Sequence, residues 1–329
     1  MSKVLVSLAC GSYDRTQALL DRRVEVEGCD TVCFPLRPEE IFYRAFRNAE
    51  FDVAELSFST YLATTADGTC PYIGVPAFVS RSFRHSAIYV RRDAGIRHPQ
   101  DLIGRRVGVP EYQVTAAVWV RAMLEQDFGV RAADILWVTG GVEEPGRHEK
   151  VALSLPPDIV IEPAGKTKAL GDMLLRGEID ALVCPRAPSC FEDGGQVIRL
   201  FEDPSSAAAD YFQRHQIFPI MHLIGVRREL ADRHPWLPGS VYKAFLEAKA
   251  IAFKALEDTT ALAVSLPFAV EELERTRRLM GQDLWAYGVE ANSIAIEAIL
   301  DQHFRQGLSS RRLRVQDVFH PATLDRFRI

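Results

Sequence analysis

Apolar positions in this chain cluster into short runs separated by amphipathic stretches, a pattern that predicts alternating strands and helices. Residues 4–9, 53–56 and 73–79 read as buried strands, with helical periodicity over 14–21, 39–48 and 59–65 between them. That alternation implies parallel crossover connections and a first α/β half. A second half begins after His98-Pro99. There Asp101-Leu102-Ile103-Gly104 gives a helical turn and a turn glycine, and Val107-Gly108-Val109 a short strand. Residues 113–128 carry a broad apolar helical face; 135–138, 159–161 and 179–183 read as strands, and 166–175 as a helix stopped by Gly177. Residues 217–226 form one more apolar strand, interrupted by His222, after which 237–256, 271–280 and 291–304 are helical.

Two apolar strands flank a polar cluster at Arg81, Ser82, Arg84 and His85, where the chain would pass from one sheet to the next. The stretch 217–226 mirrors that crossing on the way back. The expected fold is therefore α/β and two-lobed, with a ligand cleft between lobes and a helical C-terminal region. Residues 1–85 and 225–329 would build one lobe and 86–224 the other, with crossings near 80–90 and 217–226. Guanidiniums near an apolar crossing either face solvent or meet an anion, because burying them unpaired is costly. Arg81 and Arg84 are read as anion receivers, and Arg15, in the first strand-to-helix loop, as a third.

Composition narrows the class. At 329 residues, 47% hydrophobic and 25% charged, the chain is long enough for two lobes, and a net charge of −5 with interspersed signs argues against nucleic acid. No apolar run approaches the ~20 residues of a membrane span. A basic region and long apolar core are missing ahead of Val4, so the expectation is a cytoplasmic protein that keeps its six cysteines reduced. No Cys-x-x-Cys or His-x-x-x-His spacing calls for a metal, and no cofactor is expected.

The run from Asp101 to Val109 and the later Met173-Leu174-Leu175-Arg176-Gly177-Glu178-Ile179-Asp180-Ala181 resemble the second lobe of type 2 periplasmic binding proteins. Ser80-Arg81-Ser82-Phe83-Arg84-His85-Ser86, Gly108-Val109-Pro110-Glu111-Tyr112-Gln113, Trp137-Val138-Thr139-Gly140-Gly141, Ile217-Phe218-Pro219-Ile220-Met221-His222 and Met280-Gly281-Gln282-Asp283-Leu284-Trp285-Ala286-Tyr287-Gly288 are more specific. Together they are similar to the 4,5-dihydroxyphthalate decarboxylase family. The resemblance runs from Ala9-Cys10-Gly11-Ser12-Tyr13 to Gln306-Gly307-Leu308. It implies a binding-protein fold turned to non-oxidative decarboxylation of a hydroxylated aromatic acid, giving protocatechuate and carbon dioxide from 4,5-dihydroxyphthalate. The implied partner is a small aromatic carboxylate or dicarboxylate, with homo-oligomerisation left open.

That chemistry needs an acid over the ring carbon bearing the carboxylate and an acceptor for the phenol proton. His85 and His222, one per crossing, are the candidate acids, with His85 favoured because it shares its crossing with the arginines. Glu55 and Glu111, each at a strand's C-terminal end, are the candidate acceptors. Ser12, Ser57 and Thr115 stand at helix starts, where they cap or receive an anion. Tyr13 and Tyr112 are candidates to stack on an aromatic ligand, while Trp119 reads as core. Two other classes stay open at this point: a solute-binding protein for an anionic aromatic, and a binding-fold enzyme with a different small-molecule substrate.

Overall fold

Short runs dense in Val, Ile, Leu and Ala make strands covered on both faces, and the computed structural model, which describes residues 3–149, 153–192 and 194–324, shows this for the runs at 53–57, 72–81, 181–183 and 220–227. The chain begins with β1 (Val4–Cys10), α1 (Asp14–Leu20), β2 (Cys29–Pro35), α2 (Pro38–Asn48), β3 (Val53–Ser57), α3 (Phe58–Ala66) and β4 (Tyr72–Arg81). It continues through β5 (Ile88–Arg91), β6 (Arg106–Val109), α4 (Thr115–Phe128), β7 (Leu136–Thr139), β8 (Ile161–Pro163), α5 (Leu170–Arg176), β9 (Ala181–Val183), β10 (Val197–Arg199) and α6 (Pro204–His215). Last come β11 (Ile220–Arg227), α7 (Arg228–Arg233), α8 (Leu237–Glu257), α9 (Ala269–Met280), α10 (Ser293–Arg305) and α11 (Val315–Val318).

The strands form a five-stranded sheet, β2-β1-β3-β11-β4, and a six-stranded sheet, β10-β5-β9-β6-β7-β8. In the first, β1 runs parallel to β2 and β3, whereas β11 is antiparallel to both of its neighbours. The early residues of β11 therefore lie beside the last residues of β3 and β4. His222 pairs with Ser57 on one side and Ser80 on the other, and the register against β4 shifts on either side of it. Such irregularities re-aim a side chain at the rim of a sheet.

The chain divides into two units. The first comprises Met1–Arg81, Ile220–Glu297 and Arg314–Ile329; the second comprises Ser82–Pro219 and Ala298–Leu313. The last of these segments departs from the sequence expectation, which grouped everything after 225 with the first lobe. Its reason is polar: Gln306 accepts from Arg121 Nε at 2.8 Å and donates to the Val118 carbonyl at 3.1 Å, so this stretch satisfies groups inside the second unit. In the first unit α1 packs on α8, α8 on β4, and α2 and α3 against β3. Strands β2 and β10 were not foreseen, since β2 is largely half-buried or exposed, with Asp30, Val32 and Pro35 open to solvent, and β10 is three residues long. All the cysteines are unpaired. No helix among the described residues is long and apolar enough to cross a membrane.

Candidate active site

Glu55 lies in the middle of β3, all of whose residues are buried, and is itself 0% exposed. A carboxyl there is tolerable only if hydrogen bonds replace its water. They do: the Gly11 N–H donates to Oε2 at 2.7 Å, and the Tyr13 hydroxyl to Oε1 at 2.8 Å. The third donor is His222 Nδ1, 2.6 Å from Oε1. Burial alone would raise the carboxyl's pKa, but the bond and charge of His222, with the Gly11 and Tyr13 bonds, outweigh it and hold Glu55 below its ordinary value. Glu55 is thus a buried carboxylate. Gly11 is needed where it is, because a Cβ there would meet the Tyr13 ring at 2.7 Å.

An ionised carboxylate only accepts, so the pairing places the proton of His222 on Nδ1 and leaves Nε2 for other work. No hydrogen bond to Nε2 is formed among the described residues, and the side chain is 19% exposed, so that edge of the ring reaches the surface of the first unit. Phe42 packs edge-on against the imidazole, with centroids 4.8 Å apart, and Ser57 and Ser80 flank His222 across the sheet. Orientation by Glu55, apolar support by Phe42 and an open Nε2 make an imidazole that can carry one proton to a ligand.

The arginines are placed differently from the expectation. Arg15 gives Nε and Nη2 to the Val79 carbonyl at 2.8 and 2.6 Å and Nη1 to Asp14 at 2.9 Å. Its guanidinium lies 4.4 Å from the Tyr13 ring centroid and 4.1 Å from that of Trp285. Arg81 donates to Asn292 Oδ1 at 2.7 Å and to the Ala286 carbonyl at 3.1 Å, and burial pushes its pKa down to about 9. Both tie segments of the first unit together. Tyr13 likewise serves Glu55 and Arg15. Ser12 is exposed; Ser57, buried, makes no capping bond to α3.

The second unit holds the remaining candidates. His85 is 3% exposed and lies edge-on to Phe201 and Tyr211, at 5.3 and 5.5 Å. Its Nδ1 finds no partner among the described residues, and desolvation pushes its pKa down to about 4. A ring that is neutral at neutral pH has no proton to give as an acid there, which reverses the preference for His85. Glu111, 1% exposed, is ion-paired with Arg147 at 2.7 Å and accepts from Gln113 Nε2 at 3.2 Å. Tyr112 is buried under Arg121, whose guanidinium is 3.8 Å from its ring centroid, and lies edge-on to Trp137. It is core rather than a stacking platform. Thr115 is the buried first residue of α4, with Val114 at the capping position. Arg84 is half-buried, and desolvation pushes its pKa down to about 10.

Of the predicted residues, the first unit gathers Tyr13, Glu55 and His222 into one hydrogen-bonded group, with Arg15 stacked on its edge. Sequence reading missed Gly11 and Trp285 as parts of it. Gly11 carries its function in a backbone N–H, which no side-chain pattern reveals. Among the described residues no group of three or more His, Cys, Asp or Glu is gathered in a way that could hold a metal ion.

A family model described as the periplasmic substrate-binding protein of phosphonate ABC transporters matches residues 12–181. Among solved structures, a periplasmic sulfonate-binding protein from Methylobacillus flagellatus KT aligns with a TM-score of 0.56 at 13% identity, over 97% of this chain and 92% of that one. The periplasmic aliphatic sulphonate binding protein of Escherichia coli aligns with a TM-score of 0.50 at 14% identity, over 99% and 94%. The fold is thus that of the periplasmic-binding-protein-like α/β proteins. Within that class the sequence is more specific. It is 52% identical over 330 residues, covering 100% of both chains, to a 4,5-dihydroxyphthalate decarboxylase of Comamonas testosteroni. It is 51% identical over 214 residues, 65% of this chain and 83% of the other, to the protein of the same name from Pseudomonas putida. The chain belongs to the 4,5-dihydroxyphthalate decarboxylase family.

Proposed function

We propose that the protein is a carboxy-lyase that converts 4,5-dihydroxyphthalate to protocatechuate and carbon dioxide, with His222 as proton donor and Glu55 as its orienting partner. Full-length identity to decarboxylases supports the reaction. The observation that carries the assignment of roles is the buried Glu55 carboxylate 2.6 Å from His222 Nδ1. A fold shared with solute-binding proteins would by itself fit capture without chemistry. An imidazole held by a buried carboxylate, with its other nitrogen open, is what proton transfer requires.

The ring hydroxyl para to the departing carboxylate, once ionised, pushes an electron pair onto the carbon that bears it. His222 Nε2–H protonates that carbon. The bond to the carboxylate then breaks, its pair restores the aromatic ring, and carbon dioxide leaves; the phenolate and the imidazole regain protons from water, so one proton is consumed per turnover. Glu55 fixes the ring and its tautomer, and supports the imidazolium charge. Its depressed pKa makes it a poor acceptor for the phenol proton. The unpaired state of all the cysteines fits a reducing compartment, and we place the enzyme in the cytoplasm.

The test is carbon dioxide release from a panel of hydroxylated phthalates and benzoates, without added oxidant. One carbon dioxide and one protocatechuate per 4,5-dihydroxyphthalate supports the proposal. Tight binding of the same compound with no turnover would favour the solute-binding alternative.

A further inference from the structure

Tyr13 stands on the turn between β1 and α1, and several contacts aim its side chain. Its N–H donates to Thr16 Oγ1 at 3.0 Å and to the Gly11 carbonyl at 3.1 Å, while the Thr16 N–H donates to the Tyr13 carbonyl at 3.1 Å. The ring lies against Gly11, where a Cβ would come within 2.7 Å of the ring and 2.9 Å of the hydroxyl, so glycine leaves the room the phenol needs. The Arg15 guanidinium lies 4.4 Å from the ring centroid and is itself fixed by two bonds to the Val79 carbonyl.

The hydroxyl so aimed ends 2.8 Å from Glu55 Oε1, the same oxygen that accepts from His222 Nδ1 at 2.6 Å, while the Gly11 N–H takes Oε2. One carboxylate oxygen therefore serves two donors. Burial, with the Glu55 charge adding to it, keeps the phenol protonated, so it gives a hydrogen bond and brings no second negative charge. A carboxylate that accepts an additional hydrogen bond is a weaker base toward its other donors, and the Tyr13 bond acts on Glu55 in that direction. Around the pair stand Cys10 from β1, kept a neutral thiol by burial, and Arg15 from α1, bonded to Asp14 and to the Val79 carbonyl. Beside His222, Phe42 of α2, Ser57 of β3 and Ser80 of β4 carry no charge.

We infer that Tyr13 is a positioning residue for the decarboxylation: by sharing Glu55 Oε1 with His222 it limits the carboxylate's hold on the imidazolium, so that the ring gives up its proton more readily. The inference rests on the decarboxylase reading and adds to it a residue that acts through Glu55. Without the hydroxyl, Glu55 would put its full charge on the imidazolium, which would then hold its proton to higher pH and protonate the ring carbon more slowly.

The experiment compares wild-type protein with Tyr13→Phe, which removes only the oxygen, and with Tyr13→fluorotyrosine, which keeps the shape of the phenol and makes it a stronger donor. The imidazole nitrogen resonances of His222, assigned with His222→Gln, are titrated against pH in the absence of substrate, and kcat and KM for carbon dioxide release from 4,5-dihydroxyphthalate are measured over the same range. The expected midpoint for His222 rises by about half a unit or more in Tyr13→Phe and falls in the fluorinated protein, and the falling limb of the kcat profile moves with it. On the plateau below that limb kcat of Tyr13→Phe should drop about three- to tenfold with KM within about twofold, and the deficit should shrink as pH rises through the limb. A Tyr13→Phe protein whose midpoint and limb stay at the wild-type position overturns the inference, even where its activity or melting temperature falls, because loss of a purely structural bond would do that much. Shifts in the same direction in both variants overturn it as well. Wild-type protein that binds 4,5-dihydroxyphthalate but releases no carbon dioxide overturns the decarboxylase reading instead, and the His222 titrations then still decide whether Tyr13 tempers the carboxylate.

Discussion

His222 and His85 occupy similar places in the sequence and opposite ones physically. Each interrupts or borders an apolar strand at a crossing, and each is largely out of water. His222 donates a hydrogen bond from Nδ1 to a buried carboxylate and keeps an edge at the surface, whereas His85 is enclosed by Phe201 and Tyr211, its Nδ1 without a partner among the described residues. A partner turns burial into orientation; without one, burial only disfavours the charged form. The lesson extends to the glutamates. Glu55 is bonded by an imidazole, a phenol and a backbone N–H, so its negative charge is put at the service of a group that can move a proton. Glu111 is ion-paired with Arg147, which makes it a structural charge.

The largest effect that would sharpen this contrast is expected from Glu55→Gln. Gln keeps the shape but offers a neutral acceptor, so single-turnover decarboxylation should fall about 10³-fold or more, as when the acid of a carboxylate–imidazole pair is neutralised. A drop below tenfold would break the pairing argument. The same variant has a stability signature. Glu55 titrates below its ordinary value in the folded protein, so its stabilisation is complete above the ordinary carboxylate range and is lost as pH falls through the lowered value. Acid unfolding of Glu55→Gln should lack that contribution.

Next comes His85. With a folded pKa near 4, the unfolded chain takes up a proton at a pH where the native ring does not. Stability should be full above about 6.5, the unfolded value, and decline as pH falls toward about 4, by roughly 3 kcal/mol. In His85→Phe, chemical denaturation between pH 7 and 4.5 should show a flatter decline, while decarboxylation at neutral pH stays within a few-fold of wild type. Loss of the chemical step would return His85 to the reaction.

Smaller still is the expectation for Arg81→Lys. Both bonds, to Asn292 and to the Ala286 carbonyl, leave Nη1, one bond further from the backbone than a lysine ammonium reaches. Denaturant titration should register a loss of about 1–2 kcal/mol, with substrate affinity in the folded protein nearly unchanged. A large loss of affinity at constant stability would restore Arg81 to the carboxylate.

Much of the fold was legible because its signal is apolar and local. The strand runs at Val4–Cys10, Val53–Ser57, Tyr72–Arg81 and Ile220–Arg227 stand out by composition alone, and the amphipathic helices between them by period. The edge strand Cys29–Pro35, short of aliphatic residues and partly exposed, carries little of either signal. The return of residues 298–313 to the second unit depends on glutamine side chains that meet a buried arginine, a polar fit with no periodicity. For the site, residue types at strand ends were enough to nominate Glu55, His222 and Tyr13, but not to rank them. Ranking needs partners, and the pairing of Glu55 with His222 spans 167 positions, across an antiparallel register that the sequence does not display. The partners of Arg15 and Arg81 were hidden for the same reason: their acceptors are the carbonyls of Val79 and Ala286 and the amide of Asn292, invisible in a pattern of charges.

The central claim is that the ring proton comes from the histidine with the carboxylate behind it. Its most direct test is single-turnover release of carbon dioxide from 4,5-dihydroxyphthalate by His222→Gln and His85→Gln side by side, with binding measured separately. The account predicts that His222→Gln binds substrate yet releases carbon dioxide ~10²-fold or more slowly, while His85→Gln stays within a few-fold of wild type. Wild-type release by His222→Gln, or a collapse confined to His85→Gln, would contradict it.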